Sequence, residues 1–321
     1  MITAIRPVPA AVTVRVPAKV NLQLAVGPAR DDGYHPLVTV FHAVSLNDEV
    51  TVRPAAKMAL TVTGEDAVAV PTDRSNLAWR AASALAKAAG VRGADAAVRI
   101  EIRKRIPVAA GLAGGSADAA ATLVACNELW QAGLSQRDLA EVASALGSDV
   151  PFSLMGGTAV GRGRGEQLTP ALAAGSYHWA LAFGRSGLST AQVYATFDRL
   201  RAARAAAGPQ PTAEPSLSNE LMTALRSGDP ARLGPLLTND LQPAALSLQP
   251  DLRRTLAAGR EHGALGAIVS GSGPTCAFLA RDAAHARELA VLLTGAGVCR
   301  AAARASGPVP GATLLRDGRR S

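Results

Sequence analysis

The feature of this sequence that most restricts its fold is a glycine-rich segment, Pro107–Gly115, which lies between two stretches of regular pattern. Apolar and polar residues alternate over residues 97–102, as they do in a strand, and residues 116–131 have the spacing of a helix. The segment therefore carries the chain from a strand to the start of a helix. Glycines allow the backbone to approach a phosphate closely, and a helix start carries about half a positive charge, so this arrangement is typical of an anion site.

The glycine pattern alone leaves two interpretations open. The segment contains neither G-x-x-x-x-G-K-[ST] nor G-x-G-x-x-G, which are the commoner phosphate-binding patterns, and a tight helix entry made for packing is the alternative. Ser116 also has two interpretations. Its hydroxyl can cap the helix, contact a phosphate or Mg²⁺, or do both. Asp118, in the first helical turn, would repel phosphates unless a metal lay between them. We therefore do not include Asp118 among the candidate catalytic residues.

The composition fits a globular protein of two domains. The chain has 321 residues, of which 48% are apolar and 18% are charged, and the charges are dispersed. No apolar run reaches the roughly 18 residues that a membrane crossing needs, and residues 1–11 lack the layout of an export signal, so we expect a cytoplasmic protein that binds no membrane. Cys126, Cys276 and Cys299 have neither disulfide nor zinc-site spacing, and we expect them to be reduced and buried.

The charge permits two kinds of anionic partner. Thirty-three basic residues outweigh 25 acidic ones, and the resulting net charge of +8 suits nucleic acid or an anionic small molecule. The arginines are dispersed, and five Phe, three Trp and three Tyr residues are too few to pave a groove for a nucleic-acid strand. We therefore expect a small-molecule ligand and no nucleic acid.

Alternation and turn residues predict the remaining elements. Residues 12–26 alternate as a strand, and the segment at Pro17 is expected to lie at an edge, a bulge or a break. Further strands are predicted at residues 38–46, 49–53, 177–183, 267–270 and 275–279, and helices at residues 76–89, 135–147, from 190 onward and at 282–294. Residues 156–165 and 204–215 are predicted to be turns or loops, and residues 305–321 to be loosely held.

Three segments of the chain resemble the three motifs of the GHMP kinases, and they occur in the family's order. The first is Val16–Leu22, the second is Pro107–Ala121 and the third is Ile268–Thr275. Two further segments, Asp32–His35 and Gly147–Phe152, are similar to those of the GHMP kinases that phosphorylate 4-diphosphocytidyl-2-C-methyl-D-erythritol. The likeness covers nearly the whole chain.

The resemblance implies a two-domain α+β kinase. An N-terminal α/β domain with a left-handed β-α-β element would cover residues 1–170, and a C-terminal ferredoxin-like α/β-sandwich domain would cover residues 171–321. The implied reaction uses ATP and Mg²⁺ to phosphorylate the 2-hydroxyl of 4-diphosphocytidyl-2-C-methyl-D-erythritol in the non-mevalonate route to isoprenoid precursors. The nucleotide and the substrate would lie between the two domains, and the protein would be a monomer or a weak homodimer.

The resemblance also implies a catalytic base and a lysine beside it. Asp149 follows the helix-ending Gly147, and a carboxylate held there at a cleft could accept the hydroxyl proton. Lys19 lies between two apolar stripes, and an ammonium beside Asp149 would keep the carboxylate ionised and orient the hydroxyl. Taken alone, Asp149 could instead be a helix N-cap, and Lys19 a lysine that guards an edge strand against aggregation.

The remaining implied contacts divide between the two ligands. The ATP contacts are Asn76 on the adenine side and the loop residues Pro107, Ala109, Ala110, Gly111, Leu112, Ala113, Gly114, Gly115 and Ser116, of which Ser116 is the candidate Mg²⁺ ligand. Many relatives have glycine in place of the three loop alanines, and the added methyl groups are expected to stiffen the loop. The substrate contacts are Asn21, Tyr34, His35, Thr190, Tyr194, Gly271, Ser272 and Gly273, with the two tyrosines stacking on the cytosine.

Two other functions fit parts of the sequence. A homoserine or mevalonate kinase would keep the phosphate loop but would give no reason for Tyr34, His35 and Tyr194. A non-catalytic binder would use the glycine loop to hold nucleotide or RNA and would not consume ATP. Competition by cytidine nucleotides is expected only for the kinase that acts on the cytidine ester, and not for a homoserine or mevalonate kinase. An Asp149→Asn exchange without measurable effect would favour the non-catalytic binder.

Overall fold

The computed structural model describes residues 9–31, 33–206 and 214–315. Asp32 of the predicted turn, residues 207–213 of the predicted loop and both chain ends lie outside the described residues. The strands are β1 (Val12–Val26), β2 (Leu37–Pro54), β3 (Ala59–Gly64), β4 (Val98–Lys104), β5 (Thr158–Arg162), β6 (Gln167–Pro170), β7 (Tyr177–Phe183), β8 (Thr238–Asn239), β9 (Gly266–Val269), β10 (Cys276–Ala280), β11 (Ala301–Gly307) and β12 (Thr313–Leu315). The helices are α1 (Leu77–Ala89), α2 (Gly114–Leu129), α3 (Gln136–Leu146), α4 (Val150–Met155), α5 (Thr190–Ala206), α6 (Asn219–Ser227), α7 (Pro230–Leu233), α8 (Gln242–Leu248), α9 (Asp251–Glu261) and α10 (Ala283–Gly295).

A mixed sheet forms the framework on which the site is built. Its main path has the strand order β12-β1-β2-β4-β3, while β5 pairs with β2, β6 pairs with β5 and β8 pairs with β1. The β3–β4 and β1–β8 pairs are parallel, whereas the other pairs are antiparallel. Two of these strands, β8 and β12, come from the second half of the chain, so both halves contribute to this sheet. The domain boundary at residue 170 stays a prediction.

β1 lies at the centre of the protein. Every residue from Val16 to Leu24 is buried, so the polar side chains in this stretch need partners inside the protein. The register with β2 shifts between Pro17 and Ala18, which confirms the bulge among the three predicted possibilities at the proline. The bulge lets the strand continue past a residue that has no N–H to donate.

β2 runs without a break through the gap predicted between residues 46 and 49. Asp48 lies in this gap, and its polar side chain is fully buried. Its Oδ1 accepts the backbone N–H groups of Arg105 at 2.6 Å and Ile106 at 2.9 Å, and its Oδ2 contacts the Lys104 ammonium. A carboxylate with this many partners can remain inside a strand.

The second sheet has the ferredoxin-like arrangement that the resemblance implied. Its strands lie in the order β11-β7-β10-β9, and all neighbours are antiparallel. Along the chain, β7 is followed by a helical stretch that begins with α5, then by β9, β10, α10 and β11. This succession is the split β-α-β pattern of ferredoxin-like folds.

Two segments that were predicted to be irregular are strands. β5 lies within the predicted connection at residues 156–165, where Gly161 packs so tightly that a Cβ there would be 2.8 Å from the Phe41 ring. Glycine thus marks a close approach in this strand rather than a turn. β12 lies within the predicted loose tail and pairs with β1 over three residues. A short strand was predicted after the helix at residues 282–294, and β11 is that strand, with its last three residues extending into the predicted tail.

Two further expectations concern helices and cysteines. In residues 9–31, 33–206 and 214–315, none of the helices combines the length and the apolarity that a membrane crossing requires. Cys126, Cys276 and Cys299 are free and buried, as predicted. Burial raises the pKa of the Cys126 thiol, so it remains protonated at neutral pH.

Candidate active site

A cavity of about 1260 Å³ brings together the three segments that are far apart in the chain. Its wall includes Lys19 from β1, Gly114 at the start of α2 and Gly271 from the turn between β9 and β10. Asp149 and Tyr34 also line it. The cavity therefore contains representatives of every predicted group of site residues.

The glycine segment packs backbone against backbone on the turn between β9 and β10. Gly111 has a φ of 75°, and a Cβ there would collide with backbone atoms of Ser270 and Gly273. Ser270 Oγ donates to the Gly111 carbonyl at 3.1 Å, and the Thr275 N–H donates to the Ala110 carbonyl at 3.3 Å. Only glycine permits this approach, so the second and third motifs hold each other in place.

α2 begins two residues earlier than predicted, and Ser116 does not cap it. The N-cap is Ala113, which has a φ of 60° and no side-chain cap hydrogen bond, and Ser116 is the third helical residue. Gly114, Gly115 and Ser116 line the cavity. Because no side chain caps this end, the N–H groups of the first turn remain for an anion.

Lys19 and Asp149 meet at the cavity wall. Lys19 Nζ lies 3.9 Å from Asp149 Oδ2 and donates to Asn21 Oδ1 at 2.7 Å. Side-chain exposure is 7% for the lysine and 30% for the aspartate, so the carboxylate is the more accessible partner. Burial lowers the pKa of Lys19, and the negative charge of Asp149 opposes this shift.

The structure decides against both structural alternatives for this pair. Asp149 occupies the N-cap position of α4, yet its side chain makes no cap hydrogen bond. Lys19 is buried inside the protein and its backbone N–H donates to the Leu112 carbonyl at 3.2 Å, so it does not guard an exposed edge. The Lys19 ammonium and the Asp149 carboxylate can therefore interact with each other and with a ligand.

A chain of hydrogen bonds fixes the orientation of Asn21. Its Nδ2 donates to Thr39 Oγ1 at 2.8 Å, and Thr39 Oγ1 donates to the Gln23 carbonyl at 2.7 Å. The Asn21 Oδ1 is therefore the atom that faces the Lys19 ammonium. Thr39 also lines the cavity, and the sequence analysis missed it because a threonine in a strand carries no distinguishing signal.

The turn between β9 and β10 approaches the ammonium closely. Gly271 has a φ of 54°, and a Cβ there would lie 3.0 Å from Lys19 Nζ. Asn239 Nδ2 donates to the Gly271 carbonyl at 2.8 Å and holds the turn. Ser272 Oγ lies 3.0 Å from Thr190 Oγ1, so these two predicted substrate contacts share a hydrogen bond at the cavity wall.

The other end of the cavity carries the predicted base-binding residues. The rings of His35 and Tyr194 lie 5.0 Å apart, centroid to centroid, whereas Tyr34 is 53% exposed. His35 Nδ1 donates to the Gly27 carbonyl at 3.0 Å, and its Nε2 lies 3.4 Å from Asp198 Oδ2. Burial, and secondarily the charge of Asp149, raises the pKa of Tyr194 to about 12. Tyr194 and Asp149 both line the cavity.

Some predicted contacts lie behind the cavity wall. Asn76 is the N-cap of α1: its Oδ1 accepts the Ala78 N–H at 2.8 Å and its Nδ2 donates to the Pro71 carbonyl at 2.7 Å. Leu77 and Arg80, from the same helix, line the cavity, and sequence reasoning missed both. Three further predicted residues are buried and do not line the cavity: Pro107, Leu112 and Gly273.

A buried ionic cluster lies beneath the glycine segment. Lys104 Nζ contacts Asp48 and lies 2.8 Å from Asp118 Oδ2, and a Cβ on Gly114 would lie 3.1 Å from the same ammonium. Burial raises the pKa of Asp118 well above its usual range, although Lys104 opposes the shift. Burial would lower the pKa of Lys104, but Asp118 and Asp48 outweigh it and raise that pKa.

The residues at the cavity suit Mg²⁺ only as a partner of bound phosphates. In the described part of the chain, no group of three or more His, Cys, Asp or Glu side chains is placed to hold a metal ion. Asp118 Oδ2 lies 2.8 Å from Lys104 Nζ, and this buried side chain does not line the cavity. Mg²⁺ usually keeps several waters and binds one or two protein groups together with substrate phosphates, so the Ser116 hydroxyl at the helix start fits that requirement.

Two protein-family models match parts of this chain. The models described as GHMP kinases N terminal domain and GHMP kinases C terminal match residues 76–157 and 221–297. A 4-diphosphocytidyl-2-C-methyl-D-erythritol kinase of Mycolicibacterium gilvum is 59% identical over 304 residues, which cover 95% of this chain and 92% of the relative.

Two solved structures are similar over nearly the whole chain. The crystal structure of a 4-(cytidine 5'-diphospho)-2C-methyl-D-erythritol kinase is 36% identical with a TM-score of 0.72, and the match covers 91% of this chain and 98% of that one. The L. major mevalonate kinase, in complex with R-mevalonate, has a TM-score of 0.74 at 16% identity and covers 96% of this chain and 99% of its own. At that identity the second likeness concerns the fold alone.

Proposed function

This chain belongs to the 4-diphosphocytidyl-2-C-methyl-D-erythritol kinase family of the GHMP kinases, and from that premise we propose that it transfers the γ-phosphoryl group of ATP to the 2-hydroxyl of 4-diphosphocytidyl-2-C-methyl-D-erythritol. The reaction serves the non-mevalonate route to isoprenoid precursors. The observation that carries the proposal is the Lys19–Asp149 pair, with its atoms 3.9 Å apart, in one cavity with the glycine segment and the Tyr34 end.

The proposed chemistry needs an aligned acceptor oxygen and a place for its proton. Asp149 accepts the proton of the 2-hydroxyl while the hydroxyl oxygen forms a bond to the γ-phosphorus. The bond between that phosphorus and the β–γ bridging oxygen breaks, and ADP leaves. Lys19 keeps the carboxylate ionised and orients the hydroxyl, and the hydrogen bond from Lys19 to Asn21 fixes the direction of the ammonium.

The phosphates of ATP are assigned to the start of α2. Its uncapped N–H groups and the turn at Gly111 supply donors without mobile side chains. Mg²⁺, when bound, neutralises charge on the transferring phosphoryl group, and the Ser116 hydroxyl is the side chain proposed to contact it. Asp149 then remains free to take the proton.

The base end favours a cytidine ester over other GHMP kinase substrates. Tyr34 and Tyr194 offer aromatic faces, and His35 is held between the Gly27 carbonyl and Asp198. Homoserine and mevalonate carry no base and would give these rings nothing to stack on. A kinase that phosphorylates homoserine or mevalonate would need only the end of the cavity that contains Lys19 and Asp149.

A coupled ATP-consumption assay tests the proposal. The panel contains 4-diphosphocytidyl-2-C-methyl-D-erythritol, homoserine and mevalonate, and Asp149→Asn protein serves as the control for contaminating ATPase. We expect ADP formation that depends on the cytidine ester and is inhibited competitively by cytidine nucleotides. Equal or faster turnover of homoserine or mevalonate would contradict the proposed substrate. ATP binding without consumption with any alcohol would contradict the proposed activity.

A further inference from the structure

Arg164 is a cation of the cavity wall that the proposed mechanism does not use. It lies in the turn between β5 and β6, which is anchored to β2 because the Leu37 N–H donates to the Gly163 carbonyl at 2.8 Å. The Arg164 N–H itself donates to a Glu166 carboxylate oxygen at 2.7 Å. The backbone of this arginine is therefore held in place, although its side chain is exposed.

The Arg164 side chain is directed toward the base end of the cavity. Its guanidinium carbon lies 5.0 Å from the centroid of the Tyr34 ring, which is the distance of a cation–π contact. Within the described ranges, the guanidinium takes part in none of the ion pairs. The charge is thus positioned at the ligand site without an acidic partner in the described protein.

The other cations of the cavity wall are already assigned or lie elsewhere. Lys19 is paired with Asp149, and Arg80 is on α1 three residues beyond Leu77, which packs near Gly115 at the start of α2. Lys19 therefore belongs to the reacting pair, and Arg80 lies on the helix that packs against α2. The proposed substrate carries a diphosphate between its base and its reacting alcohol, so that diphosphate must lie between the Tyr34 end and the Lys19 end. Arg164 is the cation positioned at the base side of that span.

We propose that Arg164 binds the diphosphate of the acceptor substrate and so selects nucleoside diphosphate esters over uncharged alcohols. This inference rests on the proposed function. A guanidinium presents a planar fork of donors that matches two phosphate oxygens, and such charge-assisted pairs are stronger than neutral hydrogen bonds. Stacking on Tyr34 restricts the side chain before the ligand arrives, which reduces the entropy lost on binding.

The test is calorimetric binding of cytidine 5'-diphosphate and of cytidine to the wild-type protein and to Arg164→Gln. The matched control is Arg162→Gln, because Arg162 is an exposed arginine at the end of β5, two residues before Arg164, and does not line the cavity. We expect Arg164→Gln to weaken cytidine 5'-diphosphate by about 10- to 100-fold while the affinity for cytidine changes less than about twofold. Arg162→Gln is expected to bind both ligands like the wild type.

Each other outcome has a definite meaning. Equal weakening of cytidine and its diphosphate would overturn the inference, because Arg164 would then support only the Tyr34 ring. Unchanged binding of the diphosphate in a variant with wild-type thermal unfolding would overturn it as well. Failure of the wild-type protein to bind either cytidine compound would instead contradict the proposed function, and with it the premise of the inference.

Discussion

The two ends of the cavity are built in different ways. At the end proposed to bind the ATP phosphates, the phosphate end, the cavity surface is backbone: Gly111 packs on the turn between β9 and β10, and the start of α2 rests on the buried Lys104 cluster. At the end proposed to bind the cytosine, the base end, the surface is side chains, and Tyr34 and Arg164 extend from exposed turns. The phosphate end thus depends on the packing of the whole fold, whereas the base end depends on a few side chains.

This difference indicates that one region of the protein determines stability and another determines selectivity for the acceptor substrate. A change beneath the glycine segment disturbs buried charges and tightly packed backbone, so it should reduce stability and ATP binding together. A change at the exposed rings should alter only the affinity for the acceptor substrate. The following variants test that separation.

Lys104→Met should have the largest effect on stability. The exchange leaves Asp48 and Asp118 buried without their common cation, and we expect the free energy of unfolding to fall by about 3–5 kcal/mol in urea denaturation. Asp118→Asn is the matched control, because it leaves one lysine with one aspartate and keeps the shape of the side chain. We expect this control to change stability by less than about 1 kcal/mol. Equal losses in the two variants would show that packing, rather than the buried charge, supports this end.

Tyr34→Ala should change substrate binding and leave stability as it is. Loss of a stacking face should raise the KM of the cytidine ester by an amount equivalent to about 1–3 kcal/mol, with the KM of ATP and the unfolding midpoint unchanged. Steady-state kinetics with each substrate varied in turn measures this split. A loss of stability like that of Lys104→Met would remove the distinction between the ends, and an unchanged KM would remove Tyr34 from the base site.

Ala109→Gly should have the smallest effect. Ala109 has a φ of 51°, a left-handed conformation that costs an alanine about 1–2 kcal/mol, while glycine costs about 0.5–1 kcal/mol in lost chain freedom. We therefore expect the free energy of unfolding to stay constant or rise by up to about 1 kcal/mol, and the KM of ATP to change only a few fold. A clear destabilisation in thermal unfolding would mean that the methyl group contributes packing that exceeds its strain.

The sequence revealed the elements and motifs whose signals are local. Alternation located β1 and β7, and the helix predicted at residues 135–147 is α3, which begins with a capping box of Ser135 and Asp138. The glycine segment predicted a helix start that could bind an anion, and α2 begins at Gly114 within that segment. These features depend on neighbouring residues, so their pattern is visible in the chain itself.

Features that depend on distant partners were missed. β2 is continuous where two strands were predicted, and Asp48 in the gap between them is paired with Lys104, which is 56 residues away. Arg164 and Thr39 reach the cavity only because the pairing of β2 with β1 and β5 brings them there. A single arginine in a turn or a single threonine in a strand forms no sequence pattern that distinguishes a ligand contact from an ordinary surface or strand position.

The most direct measurement of the central claim compares turnover with binding in Asp149→Asn. The account predicts that kcat falls by about 10²–10⁴-fold, because the 2-hydroxyl loses its proton acceptor, while the Kd values of ATP and of the cytidine ester stay within a few fold of the wild type. Unchanged turnover, or a loss of ligand binding as large as the loss of turnover, would contradict the role of Asp149 beside Lys19.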